Sequence, residues 1–170
     1  MNSIGGGQWI EVLDNNFFAN PEWKKSVEYL LDKKQPVKLH GVDVRIMNEE
    51  QADYLNNLTM KQNIHNAWDL PNLDLTEQLK AMCKYVKPYK ITCYVLVGFN
   101  STKEQDLYRL SVLKELGITP FVQPYRDYKN KRIPSNYEKD LARYANRMWL
   151  FKSIRFEDFE PRKGFKCKEY

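Results

Sequence analysis

The stretch "YVLVGFNSTKEQDLYRL" at positions 94–110 decides the fold class. A near-continuous apolar run, typical of a parallel strand covered on both faces, meets Gly98. A helical pattern follows, in which Ser101 and Glu104 have the spacing of a capping box. Gly117 stands where a left-handed residue ends a helix. The stretch therefore predicts a strand, a tight turn and a helix.

The same order of strand, cap and helix recurs along the chain. Strands are predicted at 8–14, 35–47, 62–69, 90–99 and 119–125. Helices are predicted after them, with caps at Asn20, Asn48, Asp74, Ser101 and Ser135. Strands that alternate with helices indicate βαβ units and a parallel sheet. Since five units fall short of the eight of a closed barrel, the pattern predicts an α/β fold, a partial (open) β/α barrel of about five parallel strands with flanking helices.

Charge is distributed unevenly over the 170 residues, whose formal net charge is +5. Residues 129–170 hold 12 Lys and Arg against 6 Asp and Glu, whereas the preceding part is close to neutral. We therefore divide the chain into a flexible lead-in at 1–7, the barrel at 8–128, and a basic helical C-terminal extension at 129–170 that packs on the barrel.

Several classes of protein are disfavoured. No run of about 18 apolar residues predicts a membrane span, and "MNSIGGGQW" lacks the regions of a signal peptide. We therefore expect a cytoplasmic protein without a membrane partner. The three cysteines, Cys83, Cys93 and Cys167, are odd in number and scattered, which disfavours a disulfide framework and a CxxC metal site. No Walker loop or catalytic-triad spacing is present.

The residues that follow the predicted strands are mostly polar or aromatic, and parallel strands direct their carboxyl ends to the ligand-binding edge. These residues are Asp14, Asn15, Asn16, His40, Arg45, Trp68, Asp69, Gly98, Phe99, Asn100, Gln123, Tyr125 and Arg126. Such a set suits an adenosine-like ligand, which needs polar backbone groups, apolar walls and a carboxylate for the ribose.

Each of these residues also has a structural interpretation. The Asp and Asn run is equally typical of a turn. Arg45, between apolar neighbours, either pairs within the chain or faces an anion. His40 and His65 are more often packed or surface histidines than ligands, and Cys83 lies on a predicted core stripe.

Four segments, taken in order, resemble radical S-adenosylmethionine enzymes. The segments are "WIEVLDNNFFANPEW" (9–23), "VDVRIMNEEQADYLNNL" (42–58), "IHNAWD" (64–69) and "YVLVGFNSTKEQDLYRLSVLKELGITPFVQPY" (94–125). They are similar to the second and later βα units of that family. The resemblance covers roughly residues 8–128.

The resemblance implies a partial (β/α)6 barrel and an iron–sulfur oxidoreductase. In the family a CxxxCxxC loop binds a [4Fe–4S] cluster, and S-adenosylmethionine chelates the remaining iron and yields a 5′-deoxyadenosyl radical. This sequence contains no CxxxCxxC. We therefore expect the C-terminal part of such a protein, which a truncated gene, a split gene or a trimmed chain would produce. It is expected to be inactive alone, with neither cofactor bound. The cluster loop is then expected from a missing N-terminal segment or a separate chain, and an exposed sheet edge predicts a homodimer.

The resemblance also assigns contacts to the cosubstrate, although it identifies neither catalytic residues nor metal ligands in this chain. Asp14, Asn15 and Asn16 are assigned to the methionine amino group, and Arg45 is assigned to the methionine carboxylate. Trp68 and Asp69 are assigned to the ribose. Val97 and Gly98 are assigned to the adenine wall, and Gln123 is assigned to a backbone contact from the last strand. On this interpretation a side chain at Gly98 would crowd the nucleoside.

A second interpretation is a non-enzymatic partial-barrel module whose basic tail binds nucleic acid or a protein. Aromatic and basic residues are interleaved in "RMWLFKSIRFEDFEPRKGFK" (147–166), as in surfaces that bind single strands. The alternative is that Trp149, Phe151, Ile154 and Phe156 cover an open sheet edge, which otherwise invites aggregation.

Overall fold

The computed structural model describes residues 7–170, which belong to two compact units. Unit 1 comprises residues 7–66 and 75–91, and unit 2 comprises residues 67–74 and 92–170. The predicted lead-in lies, except for Gly7, outside the described residues. The predicted boundary at position 128 stays a prediction.

Strands and helices alternate through most of the described chain. The strands are β1 (Ile10–Val12), β2 (Val37–Leu39), β3 (Ile64–Ala67), β4 (Ile91–Val97) and β5 (Thr119–Pro124). The helices are α1 (Trp23–Lys33), α2 (Glu49–Asn57), α3 (Thr76–Tyr85), α4 (Lys103–Leu116), α5 (Asn136–Ala145) and α6 (Met148–Ser153). No helix among residues 7–170 combines the length and the apolar character that a bilayer crossing needs.

Parallel pairing and an α/β fold are confirmed, but the five strands do not form one sheet. In unit 1, β1 pairs with β2 from Ile10↔Val37 to Val12↔Leu39. The other strands, β3, β4 and β5, form the second sheet. In unit 2, β4 pairs with β5 from Thr92↔Thr119 to Val97↔Pro124. The prediction of a strand at 35–47 was too long, because the chain turns after Leu39 and Ile46 N–H donates to Asp43 O at 3.2 Å.

Some of the predicted helix caps are confirmed, and others are wrong. Asn48 and Ser135 cap α2 and α5 in reciprocal capping boxes, and Gly117 ends α4 with a φ of 73°. The cap of α4 is Thr102 rather than Ser101, because the Ser101 hydroxyl instead accepts the Gly98 N–H at 2.9 Å.

Two other caps were predicted wrongly. The N-cap of α1 is Glu22 rather than Asn20, whose side chain accepts the Glu22 N–H at 2.9 Å in a turn before the helix. The N-cap of α3 is Leu75, without a side-chain cap, in place of the Asp74 and Glu77 box. In both cases the spacing of polar residues was compatible with more than one starting residue.

Packing in unit 2 favours a covering role for the C-terminal segment. The Asn146 carboxamide accepts the Val122 N–H at 2.6 Å and donates to the Val122 carbonyl at 3.0 Å, so that it replaces a neighbouring strand at this point of β5. Phe151 and Phe156 are buried around Tyr144, whereas Trp149 is 70% exposed. Most of the tail aromatics therefore belong to the core of unit 2.

Candidate functional site

The carboxyl ends of β1 and β2 carry a compact polar site in unit 1. After β1, Asn16 N–H donates to Asp14 Oδ1 at 2.8 Å, which closes a turn of the type that Asp favours. Asn16 Oδ1 accepts the Asp43 N–H at 3.3 Å, and Phe17 N–H donates to Gly41 O at 3.3 Å. The loop after β1 is thereby attached to the loop after β2.

Gly41 allows these two loops to approach each other. A Cβ atom at this position would lie 2.5 Å from Asn15 O, which is a backbone atom that cannot rotate away. A glycine here is therefore required by close backbone approach. It keeps Asn15 and its neighbours next to the end of β2.

Arg45 is held in one orientation by Asp43. The guanidinium donates from Nε to Asp43 Oδ1 at 2.8 Å and from Nη2 to Oδ2 at 2.6 Å, a bidentate pair. Arg45 lowers the pKa of the Asp43 carboxyl. Since the Arg45 side chain is 52% exposed, it is both paired within the chain and accessible to an anion in solution.

A second polar cluster lies on the strands themselves. Glu11 Oε1 accepts from Lys38 Nζ at 2.6 Å and contacts His40 Nε2 at 2.7 Å. Glu11 and Lys38 are directly opposite each other on β1 and β2, where opposite charges stabilise a strand pair. Lys38 and His40 both lower the pKa of Glu11. Glu11 and Lys38 were not predicted as site residues, because they lie within strands and not after them, although their alternation with apolar neighbours is visible in the sequence.

The pKa of His65 is expected to lie below that of an ordinary histidine. Burial, followed by the nearby His40 and Lys38, lowers the pKa of His65 below its ordinary value of about 6.5. Because the folded pKa is depressed, the unfolded chain binds the proton first, and stability falls as the pH drops below about 6.5. Two-dimensional NMR of the two histidine rings, with His65→Gln for assignment, should give a His65 midpoint below that value. A midpoint at or above it would contradict this account.

The sequence-predicted site residues of unit 2 lie in different environments. Trp68 is 1% exposed, and its indole N–H donates to Leu73 O at 2.6 Å. Asp69 and Gln123 are exposed, whereas Val97 is buried in the core. Trp68 is thus packed in the core, and the assignments of all four residues to a ligand stay predictions.

Contacts within the chain explain why a glycine stands at the end of β4. Gly98 has a φ of 75°, which favours glycine, and a Cβ there would lie 2.6 Å from Glu138 Cδ and 2.7 Å from Arg132 Nη2. Arg132 pairs with Glu138 at 2.8 Å and also donates to the Tyr125 carbonyl. This ion pair lies where a side chain at position 98 would project, and the assignment of Gly98 to the adenine wall stays a prediction.

The described residues do not fit an iron–sulfur cluster. No group of three or more His, Cys, Asp or Glu side chains among residues 7–170 is arranged to hold a metal ion. Cys93 and Cys167 are buried, and burial raises the pKa of the Cys93 thiol and raises the pKa of Cys167 to about 11. Thiols held in the protonated form are poor ligands, because iron binds the thiolate.

We compared the chain with protein-family models, with curated proteins and with solved structures, and none of them matches it. The likeness to radical S-adenosylmethionine proteins therefore depends on the four sequence segments alone.

Proposed function

We propose that the chain binds S-adenosylmethionine through its methionine end, at the carboxyl ends of β1 and β2. The proposal follows the resemblance to the C-terminal part of a radical S-adenosylmethionine oxidoreductase and includes the partial, open β/α barrel of that family. The proposal takes the chain alone to be inactive in that reaction, because its sequence contains no CxxxCxxC.

One observation carries the proposal. The Asp14 turn and the Asp43–Arg45 pair are far apart in the sequence, yet the hydrogen bond between Asn16 and Asp43 joins them at the ends of adjacent strands. The Asp14 carboxylate and the Arg45 guanidinium, on two loops joined in this way, suit the opposite charges of an amino acid. The carboxyl ends of parallel strands are also where α/β proteins bind small ligands.

Each ligand group has a suitable partner in this arrangement. The ligand ammonium is bound by the Asp14 carboxylate and by carbonyl oxygens of Asn15 and Asn16. The ligand carboxylate is bound by Arg45, whose planar guanidinium matches carboxylates better than a lysine does. Because Asp43 already orients Arg45, binding costs less side-chain entropy than it would for a mobile arginine.

Arg45→Ala should weaken S-adenosylmethionine binding about tenfold or more, because a charge-assisted hydrogen bond contributes roughly 1.5–3 kcal/mol. Isothermal titration calorimetry of the intact chain measures this effect. Arg155→Ala is the control, since the Arg155 side chain is 78% exposed and pairs with Glu157 elsewhere. Adenosine, which lacks both methionine charges, should bind wild type and Arg45→Ala equally. Equal affinity of Arg45→Ala and Arg155→Ala for S-adenosylmethionine would contradict the proposal.

A second candidate function, binding of single-stranded nucleic acid, is favoured by the loop at 126–133. The loop is closed by two backbone hydrogen bonds between Asp127 and Arg132, at 3.1 and 2.9 Å. At its tip Tyr128 is 82% exposed, and the Arg126 guanidinium carbon lies 5.7 Å from the Tyr128 ring centroid. Lys129 is exposed beside them. An exposed ring among cations suits base stacking and phosphate contacts.

Tyr128→Ala should weaken binding of a fluorescein-labelled oligo(dT), because one stacked base contributes about 1–3 kcal/mol. Fluorescence anisotropy at several salt concentrations measures the affinity, which should fall steeply with salt. Tyr89→Ala is the matched control, since Tyr89 is also exposed, at 59%. Equal losses in the two variants, or binding that is insensitive to salt, would count against this function.

A further inference from the structure

A cavity of about 540 Å³ lies in unit 2, between α4 and the segment from α5 to the C-terminal side of α6. This volume falls within the range of small-molecule sites, roughly 300–1,000 Å³. The walls are mostly apolar, with a few polar groups, as is typical of such sites. They include Leu107, Leu110, Lys114, Tyr144, Phe151 and Phe156.

Lys114 is the unusual member of this lining. Its Nζ donates to Ile154 O at 2.6 Å and to the Tyr144 hydroxyl at 3.4 Å, and it lies 5.5 Å from the centroid of the Phe151 ring. Lys114 is half-buried, and among residues 7–170 it forms no ion pair with a carboxylate within 4.0 Å. One of its three N–H groups thus has no acceptor in the described part of the chain, and its charge is not neutralised by an ion pair.

The polar groups around Lys114 leave its charge available. The Tyr144 hydroxyl donates to Ile154 O at 2.8 Å, so its oxygen remains an acceptor for Lys114. Burial raises the pKa of Tyr144 to about 12, so the phenol is neutral at physiological pH. Of the two acidic residues in the lining, Glu115 is exposed and Glu157 pairs with Arg155 at 3.3 Å.

We infer that this cavity binds a small amphipathic carboxylate, with its apolar body between α4 and α6 and its carboxylate on Lys114. An ammonium without an acidic partner, next to apolar and aromatic walls, complements a ligand that has one anionic end. A neutral ligand such as an alcohol can accept the third N–H of Lys114, but it leaves the positive charge without a counter-charge. A cationic ligand would meet the Lys114 charge directly.

A series of ten-carbon probes tests the inference on the intact wild-type chain. Isothermal titration calorimetry should show one saturable site for decanoate, with decanol bound at least tenfold more weakly and decylamine hydrochloride more weakly still. Nuclear Overhauser contacts should join the decanoate chain to the methyl groups of Leu107 and Leu110. Equal affinity for decanol, or contacts only at other residues, would overturn the inference.

Two variants of Lys114 and one control variant isolate the effect of its charge. Lys114→Met keeps an unbranched apolar side chain and should reduce decanoate affinity at least tenfold, abolishing the preference over decanol. Lys114→Arg should keep that preference, and Lys152→Met, at an exposed position of α6, should leave both affinities unchanged. A preference for decanoate that survives in Lys114→Met would contradict the assignment of Lys114 to the carboxylate. The wild-type probe series decides the question even if one variant fails to fold.

Discussion

Asp106→Ala should lower the free energy of unfolding by about 3–5 kcal/mol, because it leaves a buried guanidinium without its carboxylate. Arg109 Nη2 lies 2.6 Å from Asp106 Oδ1, and the two side chains are 1% and 2% exposed. The same guanidinium donates to Leu96 O at 3.0 Å and to Trp68 O at 2.6 Å. Arg109 thus donates hydrogen bonds to carbonyls in two segments of unit 2. Asp106 supplies the negative charge that compensates the buried guanidinium.

Urea unfolding followed by circular dichroism measures this loss. Glu115→Ala is the control on the same helix, since Glu115 is exposed and should change stability by no more than about 0.5 kcal/mol. Arg109→Met should cost at least as much as Asp106→Ala, because it also leaves two carbonyls without a donor. A loss below about 1 kcal/mol for Asp106→Ala would show that the pair does not support unit 2.

Asp140→Ala should release the C-terminal residues from unit 2 and cost about 2–3 kcal/mol, as expected for the loss of charge-assisted hydrogen bonds. Asp140 is 1% exposed and accepts from Arg143 at 2.9 Å, from Arg162 at 2.8 Å and from the Tyr170 hydroxyl. The arginine side chains are about half exposed, at 58% and 47%, which limits the cost of leaving them unpaired.

Amide hydrogen exchange shows which part of the chain loses protection when Asp140 is replaced. The Cys167 N–H donates to Phe159 O at 2.9 Å, so its protection reports whether the end of the chain remains packed. Protection there should fall in Asp140→Ala and persist in Asp158→Ala, a control at an exposed aspartate. Unchanged protection of Cys167 in Asp140→Ala would contradict the proposed attachment.

Local sequence rules predicted a structural element correctly when the residues of that stretch favour only one local conformation. The apolar run of β4, the capping box of Ser135 and the left-handed Gly117 were each predicted correctly. Caps failed where a polar side chain had a competing partner, as at Ser101, which binds the Gly98 N–H. The division of the strands into two sheets depends on pairing between distant segments, which local patterns do not encode.

The candidate site was only partly visible in the sequence. Asp14, Asn16 and Arg45 were identified from their positions after strands, and the structure brings them together through Asp43. Their joining depends on Gly41, whose role appears only when Asn15 O is found next to it. The sequence also gives no sign that Glu138 returns to the end of β4, where it lies against Gly98.

The most direct test of the proposed function is a titration of the ¹⁵N-labelled chain with S-adenosylmethionine, followed by two-dimensional amide NMR. The account predicts saturable shifts of the backbone amides of Asn15, Asn16, Asp43 and Arg45, which are reduced in Arg45→Ala. Unshifted amides at these four positions under saturating S-adenosylmethionine would contradict the account, and so would shifts confined to other parts of the chain.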